Sequence, residues 1–153
     1  MDGFAGGMTD GLAAAVGAAA GYTAVGLGLL LVGFYALDLV VPGRLAQRVF
    51  RDAEPGAALV TAAGALGVGL ITFTTIWRNA DAGFGAALLW TVVFGLVGIV
   101  MQAVALLVLD LLTPGKLGEL VCAHLPSGAM HPAAWVTSAF QLAMAGVVVA
   151  SVA

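Results

Sequence analysis

Four stretches of the chain contain no Asp, Glu, Lys or Arg: residues 11–37, 55–77, 82–109 and 132–153. Each is longer than the roughly 20 apolar residues that a helix needs to cross the hydrocarbon core of a bilayer. None shows the alternation of apolar and polar positions that is typical of barrel strands, and a backbone in lipid must satisfy its own hydrogen bonds. The pattern therefore predicts an all-α integral membrane protein with four transmembrane helices, at 11–41, 55–77, 83–112 and 132–153.

The composition agrees with a membrane-embedded chain. Of its 153 residues, 62% are hydrophobic and 8% are charged, whereas about a quarter are charged in soluble domains. These values exclude a soluble enzyme and a disordered chain. The single cysteine, Cys122, excludes a disulfide scaffold, and a net charge of −3 without a basic patch excludes a nucleic-acid binder. We expect membrane lipid to surround the chain.

The basic residues are concentrated in two of the three predicted loops. Arg44, Arg48 and Arg51 follow the first helix, Lys116 follows the third, and only Arg78 lies in the loop between them. Because Lys and Arg are retained on the cytoplasmic side, we expect the first and third loops in the cytoplasm and both termini outside. The N-terminus lacks the basic region of a signal peptide. The predicted location is therefore the bacterial cytoplasmic (inner) membrane, crossed several times.

The chain contains the same unit twice. The sequence Asp-Leu-Val-Val-Pro-Gly-Arg-Leu begins at Asp38, and Asp-Leu-Leu-Thr-Pro-Gly-Lys-Leu begins at Asp110. Each unit holds an even number of spans, so the two units are predicted to be parallel and related by an axis along the membrane normal. The predicted organisation is an external segment, 1–10, followed by two repeat units, 11–77 and 82–153.

The repeated sequence predicts a sharp corner after the first helix of each unit. Proline ends the helix and glycine permits the turn, but the acid lies in a last helical turn, where the helix dipole disfavours it. A basic residue, which is Arg44 or Arg48 for Asp38 and Lys116 for Asp110, or a backbone N–H after the turn would stabilise it. Alternatively, the two acids would face a shared polar cavity and bind a cation or relay protons. The corner residues are Asp38, Pro42, Gly43, Arg44, Asp110, Pro114, Gly115 and Lys116.

A second set of polar residues lies within the predicted spans. Gln102 and Gln141 are amides in the third and fourth helices. One face of the second helix is small or polar, formed by Thr61, Gly64, Ala65, Thr72 and Thr75. Its opposite face is bulky, formed by Leu66, Leu70, Phe73 and Trp77. Small and polar faces most often pack closely and form hydrogen bonds with neighbouring helices; a polar pathway is the alternative.

The repeated Asp-x-x-x-Pro-Gly-basic-Leu corner, between a Gly-containing apolar helix and an Ala-rich helix, resembles the bacterial inner-membrane family catalogued as domain of unknown function number 350. The resemblance covers residues 21–153 and implies four spans built from two such units. Members typically carry an Asn near the start of the second helix of each unit, where this chain has Glu54-Pro55 and His131-Pro132. Relatives occur with envelope-stress or polyamine-synthesis genes, which implies an envelope context.

The sequence shows no nucleophile with a base and no phosphate-binding loop, and Cys122, His124 and His131 lack the spacing of a zinc site. We therefore expect no catalytic residue, no metal and no cofactor. The first functional hypothesis is a scaffold or accessory subunit in envelope homeostasis or stress response, with a cytoplasmic or membrane protein partner. The alternative is a small ion or solute channel or transporter that uses the acidic pair. Four thin helices enclose little interior, so we also expect a homo-oligomer.

Overall fold

The computed structural model describes residues 2–40, 45–125 and 127–153, with side chains from residue 11 onward except that of Leu45. The described chain is mostly helical, with short loops between its helices. Its helices are α1 (Asp2–Val40), α2 (Leu45–Phe50), α3 (Pro55–Arg78), α4 (Phe84–Leu112), α5 (Leu117–Val121) and α6 (Pro132–Val152), with a 3₁₀ turn at Ala80–Ala82 between α3 and α4.

Four of the helices, α1, α3, α4 and α6, are long and apolar enough to span a membrane. This confirms the predicted all-α membrane fold and its four spans. Three of them begin and end within one residue of the predicted bounds. The first differs, because α1 starts at Asp2 and therefore includes most of the segment that was expected to lie outside the helix. At about 1.5 Å per residue its 39 residues extend about 58 Å, well beyond the hydrocarbon core.

The spanning helices pack unequally. The most extensive contact is between α3 and α6, and α4 packs against α1, α3 and α6. By contrast, α1 packs against α3 and α4 and makes at most a marginal contact with α6. A strict twofold relation between the units would require α1 to pack on α6 as α4 packs on α3. The two-unit arrangement about the membrane normal therefore remains a prediction, although the repeat is clear in the sequence.

Glycines let the helix backbones approach closely at two of these interfaces. A Cβ added at Gly98 on α4 would lie 2.7 Å from Cδ1 of Ile71 on α3. A Cβ added at Gly33 on α1 would lie 2.9 Å from Cγ2 of Val68 on α3. Since real Cβ atoms do not approach other atoms so closely, an alanine at either position would force the facing Ile71 or Val68 side chain to shift.

Candidate functional site

The two repeated acids each bind a backbone N–H beyond their own corner. Oδ1 of Asp38 accepts a hydrogen bond from the N–H of Ala46 at 2.9 Å. Oδ1 of Asp110 accepts one from the N–H of Leu117 at 2.7 Å. At both corners, the partner of the acid is therefore a backbone N–H after the turn, which is one of the partners predicted from the sequence. Each carboxylate ties the end of a spanning helix to the short helix that follows it.

The second corner shows why its sequence turns sharply. Thr113, which precedes Pro114, has an extended backbone, as residues before proline do. Gly115 has a φ of +104°, in the region that favours glycine. Lys116 lies 3.9 Å from the carboxylate of Glu119 and both side chains are exposed, so its partner is not Asp110 as the sequence suggested. At the first corner, Pro42, Gly43 and Arg44 lie outside the described residues.

The two corners lie side by side and are joined directly. Nη1 of Arg48 on α2 donates a hydrogen bond to the carbonyl oxygen of Gly118 on α5 at 2.9 Å. Arg48 was a candidate partner for Asp38, but its described hydrogen bond crosses to the other unit. Gly56, at the start of α3, packs against the carbonyl oxygen of Val121, where a Cβ would have no space. We call the layer formed by α2, α5 and the ends of the spanning helices beside them the corner face.

Glu54 and His131, which replace the Asn typical of the family, lie just before α3 and α6, the second spanning helix of each unit. Glu54 precedes α3 and its carboxylate lies 3.8 Å from Nδ1 of His124. His131 precedes α6, and its Nδ1 accepts a hydrogen bond from the N–H of Ala133 at 3.1 Å. This is the capping role that an Asn plays at the start of a helix. Within the described residues, no cluster of three potential metal ligands is present.

The side-chain amides of Gln102 on α4 and Gln141 on α6 are buried in the bundle. Both lie against the same face of α3. Gln141 is 0% exposed and Gln102 is 2% exposed. The amide of Gln141 is beside Gly64, and the amide of Gln102 is beside Gly67, about one helical turn further along α3. In the structure as described, neither amide has a hydrogen-bond partner. Gln102 also lines a cavity of about 10 Å³ between α1, α3 and α4, which is space for about one water molecule.

The hydroxyl groups of the threonines in α3 donate hydrogen bonds to carbonyl oxygens of α3 itself. The hydroxyls of Thr61, Thr72 and Thr75 donate to the carbonyls four residues earlier, each at 2.8 Å. Thr72 and Thr75 are buried, as predicted for a packing face, but Ala65 is exposed, so the prediction is wrong there. Gly67, three residues after Gly64, also lies on the buried face, although the pattern of polar residues did not indicate it. The bulky face is exposed, at Leu66, Leu70, Phe73 and Trp77.

The polar residues therefore form two separate groups. The glutamines and Thr72 lie among the spanning helices, whereas the acids lie at the corner face. Asp38 lines an open cavity of about 500 Å³ together with Gln47, Phe50 and Arg51, and Asp110 is not part of its described lining. Within the described residues, the two acids therefore do not share this cavity.

Comparisons with known proteins extend over almost the whole chain. The family model described as Domain of Unknown Function (DUF350) matches residues 10–152. A "UPF0719 transmembrane protein" of Mycolicibacterium paratuberculosis is 39% identical over 131 residues, which cover 86% of this chain and 83% of that protein. UPF0719 transmembrane proteins of Mycobacterium bovis and Mycobacterium tuberculosis are each 33% identical over 130 residues, which cover 85% of this chain and 82% of each relative.

No solved structure matches the chain. The relatives' names agree with the four spanning helices, and the protein is a multi-pass membrane protein. The family match includes both corners, both glutamines and every spanning helix. The chain therefore belongs to the DUF350 family.

Proposed function

We propose that the protein is a membrane scaffold or accessory subunit, without catalytic chemistry of its own, that acts in envelope homeostasis or stress response. Its corner face would be the docking surface for a cytoplasmic or membrane protein partner. The observation that carries this proposal is the hydrogen bond from Arg48 to the carbonyl of Gly118, which joins the two units. A surface built from two joined corners has a fixed shape, and binding to it costs little ordering entropy.

The side chains at the edge of the corner face suit protein recognition. Phe50 is 77% exposed at the end of α2, and exposed Arg51 follows it. Aromatic and arginine side chains are enriched among residues that dominate binding energy. The basic residues of this face favour its placement on the cytoplasmic side of the inner membrane. The family resemblance supports the envelope context.

Photo-crosslinking in cells tests the docking proposal. A photoreactive amino acid replaces Phe50 in one variant and Leu66, on the bulky lipid-facing side of α3, in the matched control. We expect a discrete adduct with another protein at position 50 and none at position 66. Adducts with lipid alone at position 50, or the same diffuse adducts at both positions, would contradict the proposal.

We also propose that the protein self-associates through α1. Gly17 and Gly28 on this helix have open space where a Cβ would lie, and Leu27 and Leu31, near Gly28, are exposed. Small residues allow close approach of a second helix. In a Cys122→Ser background, Gly17→Cys should form disulfide-linked dimers in membranes, whereas Gly69→Cys, which is equally open on α3, should not. Equal crosslinking at both positions would argue against an α1 interface.

A channel or transporter is the second candidate, and the two glutamines favour it. Four buried amide atoms without partners can exchange hydrogen bonds with a passing polar solute. This candidate ranks second because the cavity beside Gln102 holds about one water molecule and the nearby threonine protons are already bonded. Ion flux into liposomes that contain the purified protein, lost in Gln102→Leu, would support it. Absence of ion flux in the unaltered protein would contradict a channel or transporter function.

A further inference from the structure

Glu54 and His124 meet where the first repeat unit contacts the second. Glu54 directly precedes α3, and His124 lies in the connection between α5 and α6. Oε2 of Glu54 lies 3.8 Å from Nδ1 of His124. This oxygen is buried and has no hydrogen-bond partner in the part of the chain that the structure describes. We propose that the two side chains form a pH-sensitive clamp, which closes when His124 takes up a proton and then holds the connection between α5 and α6 against the start of α3.

The backbone on each side of this contact is already held in place. The N–H of Glu54 donates to the carbonyl oxygen of Arg48, and its carbonyl oxygen accepts from the N–H of Ala58, both at 3.0 Å. His124 forms a β-bridge with Met130. The side chains of His124 and Glu54 are 43% and 27% exposed, which leaves them room to approach each other. Because charge-assisted hydrogen bonds between nitrogen and oxygen span about 2.7–2.9 Å, a side-chain movement of about 1 Å closes the clamp.

A proton on His124 supplies what the contact lacks. At 3.8 Å the two atoms are too far apart for a hydrogen bond. Imidazole is the side-chain type that changes charge between about pH 5 and 8. A neutral ring places its single proton on either nitrogen, whereas the charged ring always has a donor at Nδ1. The bond to Oε2 of Glu54 therefore forms at mildly acidic pH and is lost as the pH rises and His124 gives up its proton.

The other charged side chains around this contact are engaged elsewhere or exposed. Arg48 donates to a backbone carbonyl of α5, and Lys116 pairs with Glu119. The two corner acids bind backbone N–H groups of their own corners. Arg51 and Asp52, which precede Glu54, are exposed. Among the described residues, His124 is thus the basic group that lies within ion-pair distance of Glu54.

His131, the second of the two histidines, responds to acid in the opposite direction. Its Nδ1 accepts a hydrogen bond from the N–H of Ala133, and protonation would remove this acceptor and weaken the start of α6. Asn caps helices without titrating. In a His131→Asn background, His124 is therefore the histidine that remains, and the response of the clamp is measured alone.

The reactivity of Cys122, the single thiol of the chain, reports the state of the clamp. Cys122 is half-buried and lies two residues before His124, so opening of this connection exposes it. The purified His131→Asn protein is treated with a dipyridyl disulfide, which also reacts with thiols in mild acid, at about pH 7.5 and about pH 5.5. Comparison of variants at the same pH cancels the intrinsic pH dependence of the thiol.

We expect Glu54→Gln and His124→Gln to react like the parent at the higher pH. At the lower pH both should react about tenfold faster, the effect of losing one hydrogen bond between charged groups. The two substitutions change the charge near Cys122 in opposite directions, so a shared acceleration reflects the lost clamp. Glu119→Gln, which removes an exposed acid of α5, is the matched control and should react like the parent at both pH values. Rates equal to the parent's in both clamp variants, or opposite changes in the two, would overturn the proposal.

Melting temperatures in detergent at the lower pH provide a second measurement. Either clamp substitution should lower the melting temperature of the His131→Asn protein by a few degrees, and the double variant Glu54→Gln/His124→Gln should lower it no further, because the two residues share one interaction. Additive losses would contradict the clamp. No binding partner takes part in either measurement, so the outcome is independent of the docking proposal.

Discussion

Oδ1 of Asp110 accepts a hydrogen bond from the backbone N–H of Leu117 across the Pro-Gly turn, and Asp38 forms the same kind of bond with Ala46 at the other corner. An acid near the C-terminal end of a helix is disfavoured by the helix dipole. The bond across the turn offsets this cost, since an N–H at the start of the next helix has no partner within that helix. The repeated acid is thus explained by the fold of the corner.

Removal of the carboxylate at the second corner should destabilise the protein. Asp110→Ala leaves the N–H of Leu117 without its partner, which costs about 1–3 kcal/mol. We expect a lower melting temperature in detergent. Glu119→Ala, which removes only an exposed ion pair, is the control and should change stability by about 0–1 kcal/mol. Equal effects of the two substitutions would show that the bond across the turn contributes nothing.

Gly56→Ala should be among the most damaging single-methyl changes. The added Cβ would collide with the carbonyl oxygen of Val121, a backbone atom that cannot rotate away. Overpacking of this kind costs about 1–3 kcal/mol and occasionally more. Gly146→Ala on α6 has free space around its Cβ and should be neutral or slightly stabilising. The two variants are compared by heating each one and measuring the monodisperse fraction that remains by size-exclusion chromatography. Equal monodisperse fractions would contradict the packing at Gly56.

The buried glutamines predict an unusual gain of stability. Gln102→Leu removes amide atoms that lack partners, and an apolar side chain of similar size avoids their desolvation, so the melting temperature should rise. Gln47→Leu at an exposed position should not raise it. A loss of stability in both Gln102→Leu and Gln141→Leu, with little further loss in the double variant, would instead indicate that the two amides share a hydrogen bond.

The distribution of basic residues predicts that the corner face lies in the cytoplasm and that both termini lie outside. In a Cys122→Ser background, Arg51→Cys at the corner face should resist a membrane-impermeant maleimide in intact cells. Asp81→Cys, in the 3₁₀ turn at the opposite end, should be labelled. Both positions are exposed, so accessibility alone does not separate them. Labelling at position 51 and protection at position 81 would reverse the orientation.

The four spans could be predicted from sequence because the thickness of the bilayer fixes the length of a charge-free helix. The start of α1 could not, since the residues before Gly11 include three glycines but no proline that would stop a helix. The burial of Gly67 rather than Ala65 depends on how far α3 is rotated towards α4 and α6, which its own periodicity does not specify. The bond from Arg48 to Gly118 joins residues 70 positions apart, so local pattern pointed instead to the nearby Asp38.

The central claim is that the two corners form one rigid face, and a distance measurement between them tests it most directly. Spin labels at Gln47 on α2 and Glu119 on α5, both exposed, report the separation of the corners in lipid nanodiscs by pulsed electron paramagnetic resonance. We expect a narrow distance distribution that broadens in Arg48→Ala and stays narrow in the control Arg51→Ala. A broad distribution in the labelled protein with Arg48 intact would contradict the account.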